Sequence, residues 1–186
     1  MTHENPFFYP GIRRLRISDQ GRVIEHFERL DEETRRFRFG HTVGDAFLID
    51  YVETIFPLAS ANYGAFPDDE LRGIAELREL PESMPKSAEV ALAVEPDWQD
   101  RGIGDALFNH LIAAAQNRSI KKLHMICLHE NARMRNLVKK HDADLAIERG
   151  DVEATLALPW PTPLSIFQEM FGNPKNYLLA TFNVTK

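Results

Sequence analysis

An apolar run, Val90-Ala91-Leu92-Ala93-Val94, is followed within a few residues by Gln99-Asp100-Arg101-Gly102-Ile103-Gly104 and then by a helix-periodic stretch, Ala106 to Gln116. A strand, a tight glycine turn and a helix N-terminus in that order imply an α/β fold. They also make an anion site, because backbone N–H groups converge with no side chain in the way and the helix dipole adds positive charge. The expected anion is a pyrophosphate.

Two better-known phosphate loops fail against these residues. The dinucleotide fingerprint needs Gly or Ala three residues after its second glycine, where helix and strand pack closely, and Leu107 stands there. The P-loop needs Gly-Lys-Ser/Thr, in which the lysine reaches the outer phosphates and the hydroxyl holds magnesium. Here Gly104 is followed by Asp105-Ala106. A nucleotide-binding domain is therefore disfavoured.

The remaining pattern, Gln/Arg-x-x-Gly-x-Gly/Ala, comes with further matching segments. Ala88 to Gln99 reads as a strand and turn, Lys122 to Leu128 as the next strand, and Glu130-Asn131-Ala132-Arg133-Met134 as a helix opening. Upstream, Phe27 to Phe39 reads as a helix pair, and Ile49-Asp50-Tyr51 fits with it. With these residues the chain resembles the GNAT superfamily of acyl-CoA-dependent N-acetyltransferases, and within it the bacterial protein lysine acetyltransferases of the Pat type. The likeness runs over about 12–158.

The resemblance implies a mixed, twisted sheet of six to seven strands flanked by helices, with the fourth and fifth strands splayed. It implies acetyl-CoA as cofactor. Leu92, Ala93 and Val94 would pair with the pantetheine arm through their backbone. Gln99, Arg101, Gly102, Ile103, Gly104 and Asp105 would form the pyrophosphate turn, and the Asn131 side chain would contact the arm.

With 186 residues and 44% apolar content, the chain can bury one substantial core. It is read as one domain over 1–158 with an extension over 159–186. The single cysteine, Cys127, lies in an apolar run and is expected to pack as a small hydrophobe. A reducing, cytoplasmic setting suits it. No stretch approaches the roughly 20 apolar residues of a membrane span, and Met1 to Pro6 lacks a signal pattern.

The net charge of −6 argues against nucleic acid as a partner. It is unevenly placed. From Gln99 to Lys140 eight bases face three acids, so that segment is +5 and the remainder −11. A polyanionic cofactor would prefer the first region and a cationic acceptor the second.

Ile12 to Ile17 alternates as a first strand, with Ser18 or Asp19 available to cap a helix. Helices are expected over Arg22–Leu30 and Glu32–Arg38, the second opened by Asp31. Thr54–Ala59 and Gly73–Arg78 read as neighbouring strands joined by a loop containing Gly64, with Pro57 at an edge or bulge. Val152–Leu158 reads as a sixth strand. Leu164, Phe167, Gln168 and Phe171 suggest a short amphipathic helix packing on the domain or on a second subunit as a homodimer.

Acetyl transfer to an amine starts from an activated thioester. The protein has to hold nitrogen and carbonyl carbon within attack distance and remove a proton from an ammonium. No metal is required. Glu89 is the candidate general base: on a strand it shares a face with Ala91 and Ala93, which leave room for an acyl group and an amine. Ala88-Glu89-Val90-Ala91 also resembles the Pat-type strand that carries this glutamate, and a half-buried site would suit the role. The alternative is a strand-start carboxylate facing solvent, with Glu76 on the adjacent strand held in reserve. The acceptor would be a protein lysine or a small cationic amine. A rival class is a non-catalytic acyl-CoA-binding regulatory or assembly module.

Other residues carry less chemistry. His124 and His129 lie on opposite strand faces, so a shared metal is not expected. His141 is read as a helix-end imidazole on the dipole, and Trp98 as packing its loop. Three departures from the family pattern stand out. Asp142-Ala143 replaces a glycine-aromatic pair, and no tyrosine lies between Asn131 and Asp142 to protonate the leaving thiolate. Asp100 and Asp105 flank the pyrophosphate, a cost that Arg101 would offset in part.

Overall fold

The computed structural model describes residues 11–56, 61–148 and 151–171. The elements run β1 (Ile12–Arg14), α1 (Gln20–Arg29), α2 (Glu32–Phe39), α3 (Asp45–Thr54), β2 (Ala61–Ala65), β3 (Gly73–Leu80), β4 (Ser87–Val94), α4 (Ile103–Asn117), β5 (Lys122–Leu128), α5 (Ala132–Lys140), β6 (Asp144–Glu148), β7 (Asp151–Ala157) and α6 (Pro163–Phe171). Seven strands make one sheet in the order β1-β2-β3-β4-β5-β7-β6. This is the expected mixed sheet flanked by helices.

One pair of strands shapes the molecule. β4 pairs with β3 along its whole length, Ser87 to Val94, but with β5 only over Ser87–Glu89 against Lys122–His124, in parallel. β5 meanwhile stays on β7 as far as Leu128. Beyond Glu89 the two strands part, and the expected splay is present as a wedge in the middle of the sheet.

Alternation along β4 explains why the wedge is lined from both faces. Ala88 and Val90 join Leu107, Phe108 and Leu111 of α4 in one core cluster. Ala93, on the opposite face, joins Val23 and Phe27 of α1 and Leu48 and Val52 of α3 in the other. The two α/β layers are therefore packed independently on either side of a sheet that is open at its centre.

Three readings need correction. Thr54 ends α3 instead of opening a strand; Leu48, Val52 and Ile55 fall at helical spacing and are buried. Residues 57–59 of that expected strand lie outside the described residues. The strand beside β3 is Ala61–Ala65, and Gly64, read as loop, pairs with Ile74. A Cβ built at Gly64 would stand 2.6 Å from Leu71 Cδ1 and 2.8 Å from Leu15 Cδ2, so close packing calls for glycine there. At the other end of the sheet, Asp144–Glu148 adds an unanticipated edge strand.

β1 is shorter than expected, because Ile17–Asp19 turns as a 3-10 segment. Asp19 does not cap α1 through its side chain. Its carboxylate takes a bidentate pair from Arg13 at 2.7 and 2.9 Å and the backbone N–H of Arg16, which hold its pKa at about 2. α2 does open on Asp31, whose Oδ1 accepts from the Thr34 N–H at 2.8 Å.

Candidate functional site

A cleft of about 330 Å³ occupies the wedge. Leu92, Ala93 and Val94 line it from β4, and Ile126 and Cys127 from β5. Gln99, Gly102, Gly104 and Asp105 line it at the glycine turn, and Asn131 at the start of α5. Most of the expected cofactor residues thus meet on one surface. Arg101 and Ile103 contribute no lining. The Ile103 side chain is buried in the core, and Arg101 lies over the Trp98 ring at 4.9 Å, with Arg72 at 5.7 Å. Trp98 packs its loop as expected.

The turn is built from local backbone chemistry. Gly102 is the N-cap of α4 at φ 82°, a left-handed conformation that glycine adopts without a Cβ penalty. A Cβ at Gly104 would meet no protein atom within 4 Å, which leaves the N-terminal N–H groups of α4 unobstructed. Gln99 is a strut as well as a lining residue, since its Nε2 donates to Val94 O at 2.9 Å and ties the turn to the end of β4. Asn131 caps α5 by accepting from the Met134 N–H at 3.0 Å.

Asp105 is neutralised by partners other than the one expected. His141 Nε2 lies 2.8 Å from its Oδ1 and Lys140 Nζ 3.0 Å from its Oδ2. The bond from His141, with Lys140 behind it, holds the Asp105 carboxyl below the ordinary carboxylate range. His141 does sit at the C-terminal end of α5, and its ring also packs edge-on against Phe108 at 4.8 Å. Asp142 adopts φ 57° just beyond it, the left-handed position a glycine would otherwise fill. Asp100, at φ 56°, pairs with Arg133 at 3.4 Å.

Cys127 is buried, and that burial pushes its thiol up. It packs as the small hydrophobe expected, with one surface on the cleft.

The two carboxylates read as candidate bases have different settings. Glu89 is exposed, where a half-buried position was expected, and stands opposite Arg78 in the β3–β4 register. Glu76, paired with Ala91, is buried with both oxygens engaged: Arg38 Nη2 donates to Oε1, and Tyr51 O–H donates to Oε2 at 2.8 Å. A carboxylate so occupied is a poor acceptor for a substrate proton. Arg38 itself lines the cleft.

Another missed residue is Glu95, buried directly after β4. Its Oε1 takes His26 Nδ1 at 3.1 Å and Arg29 Nε at 2.8 Å, and its Oε2 takes Arg72 Nη1 at 3.0 Å. The carboxylate thereby pins α1 to the strand that leads into the turn. Its partners are 69, 66 and 23 residues away, so no local pattern announces it.

The Acetyltransferase (GNAT) family model matches residues 24–142. An acetyltransferase of Pseudomonas aeruginosa is 29% identical over 130 residues, which are 68% of this chain and 70% of that protein. The GNAT domain of S. lividans PAT superposes with a TM-score of 0.70 at 21% identity, covering 79% of this chain and 89% of that one. A Salmonella typhimurium protein solved with its cofactor acetyl-CoA superposes with a TM-score of 0.62 at 16% identity, covering 81% and 95%. At such identities the structural likenesses speak for the fold.

Proposed function

The chain belongs to the Acetyltransferase (GNAT) family, and on that premise we propose that it moves the acetyl group of acetyl-CoA to a primary amine, a protein lysine or a small cationic amine, with Glu89 as general base. The observation that carries this reading is the wedge between β4 and β5, closed at one end by the N-terminus of α4. Its shape suits a long ligand with an anionic group at that end.

The pyrophosphate sits against the N–H groups of Arg101 to Asp105, where the helix dipole adds to them. The pantetheine arm runs along β4, whose edge from Val90 to Val94 is not paired to β5, with Val94 O taken by Gln99 Nε2. Such an edge offers backbone N–H and C=O groups to an extended ligand. The Leu92, Ala93 and Val94 backbone and the Asn131 side chain hold the arm. The thioester then lies beside Ala91 and Ala93, on the face that carries Glu89. An exposed carboxylate there is open to an ammonium arriving from solvent, and the acidic remainder of the chain favours a cationic acceptor.

The reading is tested by CoA thiol release with a panel of lysine peptides, polyamines and amino acids. At least one amine should raise release above background, and Glu89→Gln should lower kcat/KM for it about 10²- to 10⁴-fold. Cofactor binding with no amine-dependent release would leave the non-catalytic acyl-CoA module instead. Full activity in Glu89→Gln would remove Glu89 as base.

A further inference from the structure

Arg38 is a buried cation on the wall of an otherwise small-residue part of the cleft, and the sequence reading did not single it out. Its side chain is 8% exposed. Nη2 donates to both Glu76 Oε1 and Tyr51 Oη, whereas the Nε–H is buried without a hydrogen-bond partner. The guanidinium lies 4.9 Å from the Phe39 ring centroid and 5.3 Å from that of Tyr51, and these two rings meet edge to face at 5.1 Å. Burial and the neighbouring Glu76 push the Tyr51 hydroxyl up to about 12, so it remains an O–H donor to Glu76. Ring contacts and the carboxylate together keep the guanidinium from turning away.

Its level along the cleft identifies the chemistry. Glu76 is the register partner of Ala91, and paired residues point to the same face. The Arg38 head group, bonded to Glu76, therefore lies near Ala91, where β4 has just parted from β5. The pyrophosphate turn is at the other end, beyond Val94, three residues or about 10 Å further along the strand. The cofactor's phosphates are thus met elsewhere. Under the acetyl-transfer reading, on which this inference rests, the oxygen that arrives beside Ala91 is the thioester carbonyl.

We infer that Arg38 is a catalytic residue that donates a hydrogen bond to the acyl carbonyl oxygen and stabilises the oxyanion formed on it. Once deprotonated, the amine attacks the carbonyl carbon, an N–C bond forms and the C=O π pair moves onto oxygen beside the guanidinium. That pair then re-forms the carbonyl, the C–S bond breaks, and the extra proton on the attacking nitrogen passes through water to the leaving CoA thiolate, which leaves a neutral amide and a free thiol. A cation fixed in place before reaction favours the charged intermediate over the neutral thioester. Glu76 and Tyr51 are positioning residues that act through Arg38.

The test uses acetyl-CoA carrying ¹³C at the carbonyl, and CoA alone, with the full chain. In the wild type the isotope-edited infrared band of the bound carbonyl should lie at lower wavenumber than in water. In Arg38→Lys, which keeps the charge and removes the planar guanidinium, that shift should shrink, CoA affinity should stay within about twofold, and kcat should fall about 10²- to 10³-fold with every amine. Tyr51→Phe should show a smaller loss of the same shift. Should Arg38→Lys fold poorly, Arg38→Gln combined with Glu76→Gln removes both buried charges together and makes the same spectral prediction. A carbonyl band unshifted in the wild type, or unchanged in the variants, overturns the inference. So does a loss confined to the KM of acceptors bearing a carboxylate or amide, which would place the bond on the acceptor. Failure of the wild type to bind acetyl-CoA would instead remove the transfer reading itself and the inference with it.

Discussion

Asp105 is an acid in the first turn of α4, where the helix dipole favours negative charge, yet it lines the end of the cleft assigned to another anion. The two roles are compatible because His141 and Lys140 close on its carboxylate at 2.8 and 3.0 Å. Lys140 is itself a lining residue. Removing the carboxylate leaves that cation facing the cleft without its counter-charge, so Asp105→Asn should tighten CoA binding. For a partly solvated charge the change is about 0.4–1 kcal/mol, roughly two- to fivefold in Kd. Isothermal titration at two salt concentrations checks it, because the gain should diminish as salt rises. Weaker binding would mean that Asp105 acts mainly by holding α5 against α4. At this scale the sequence was readable where a residue acts on its own neighbours: Asp31 caps α2 through the N–H three positions on. Asp105 with His141, and Glu76 with Arg38, span 36 and 38 residues, and only the fold brings them together.

Elements were legible in proportion to how strongly their side chains alternate or repeat. The turn into α4, β5 and the α1–α2 pair follow apolar periodicity, whereas β2, with Ala61, Asn62, Gly64 and Ala65, consists largely of residues of low strand propensity. α6 shows a subtler mismatch. The helical pattern marks Leu164 and Phe167 for burial, yet they are 55% and 41% exposed. The helix instead docks on α4 through Ser165 and Glu169. Ser165 Oγ donates to Asn117 at 2.6 Å, and Glu169 accepts from Tyr63, Asn117 and Arg118 at 2.9, 2.6 and 2.8 Å. Burial alone would push the Glu169 carboxyl up, but these donors outweigh it and hold it down. Glu169→Ala would strand three donors, so it should destabilise the protein by about 1–3 kcal/mol. Denaturant unfolding measures that loss, and faster amide exchange at the C-terminal end of α4 should accompany it. An unchanged midpoint would mean that the Glu169 bonds add nothing to the stability of the fold.

Across the whole molecule, acid stability follows from buried groups whose protonation differs between the folded and unfolded chains. Burial lowers the pKa of His26 and His110 below the ordinary 6.5, so both fold as neutral imidazoles. Below about pH 6.5 the unfolded chain binds protons that the folded chain refuses, and stability must fall as pH drops through that range. A second window opens lower. For Glu95, burial alone would raise the carboxyl, but its bonds to His26 and Arg29 hold it below 4.5; Asp105 is likewise held below 3.8, chiefly by His141. Their ion pairs stabilise the fold above the ordinary carboxylate range and are lost as pH falls through the depressed values. The unfolding midpoint should therefore be nearly level from pH 8 to 7, decline from about 6.5 to 5, and fall more steeply below about 4.5. His110→Leu isolates the first window: it removes a titrating group that has no Nδ1 partner and leaves the Glu95 cluster intact. The variant should lose part of the decline between pH 6.5 and 5 while keeping the steep acid limb. A wild-type midpoint that stays level down to pH 5 would show that both imidazoles charge within the fold as readily as in the unfolded chain, and the buried Glu95–His26 contact between α1 and β4 would then become an ion pair only as pH falls below about 6.5.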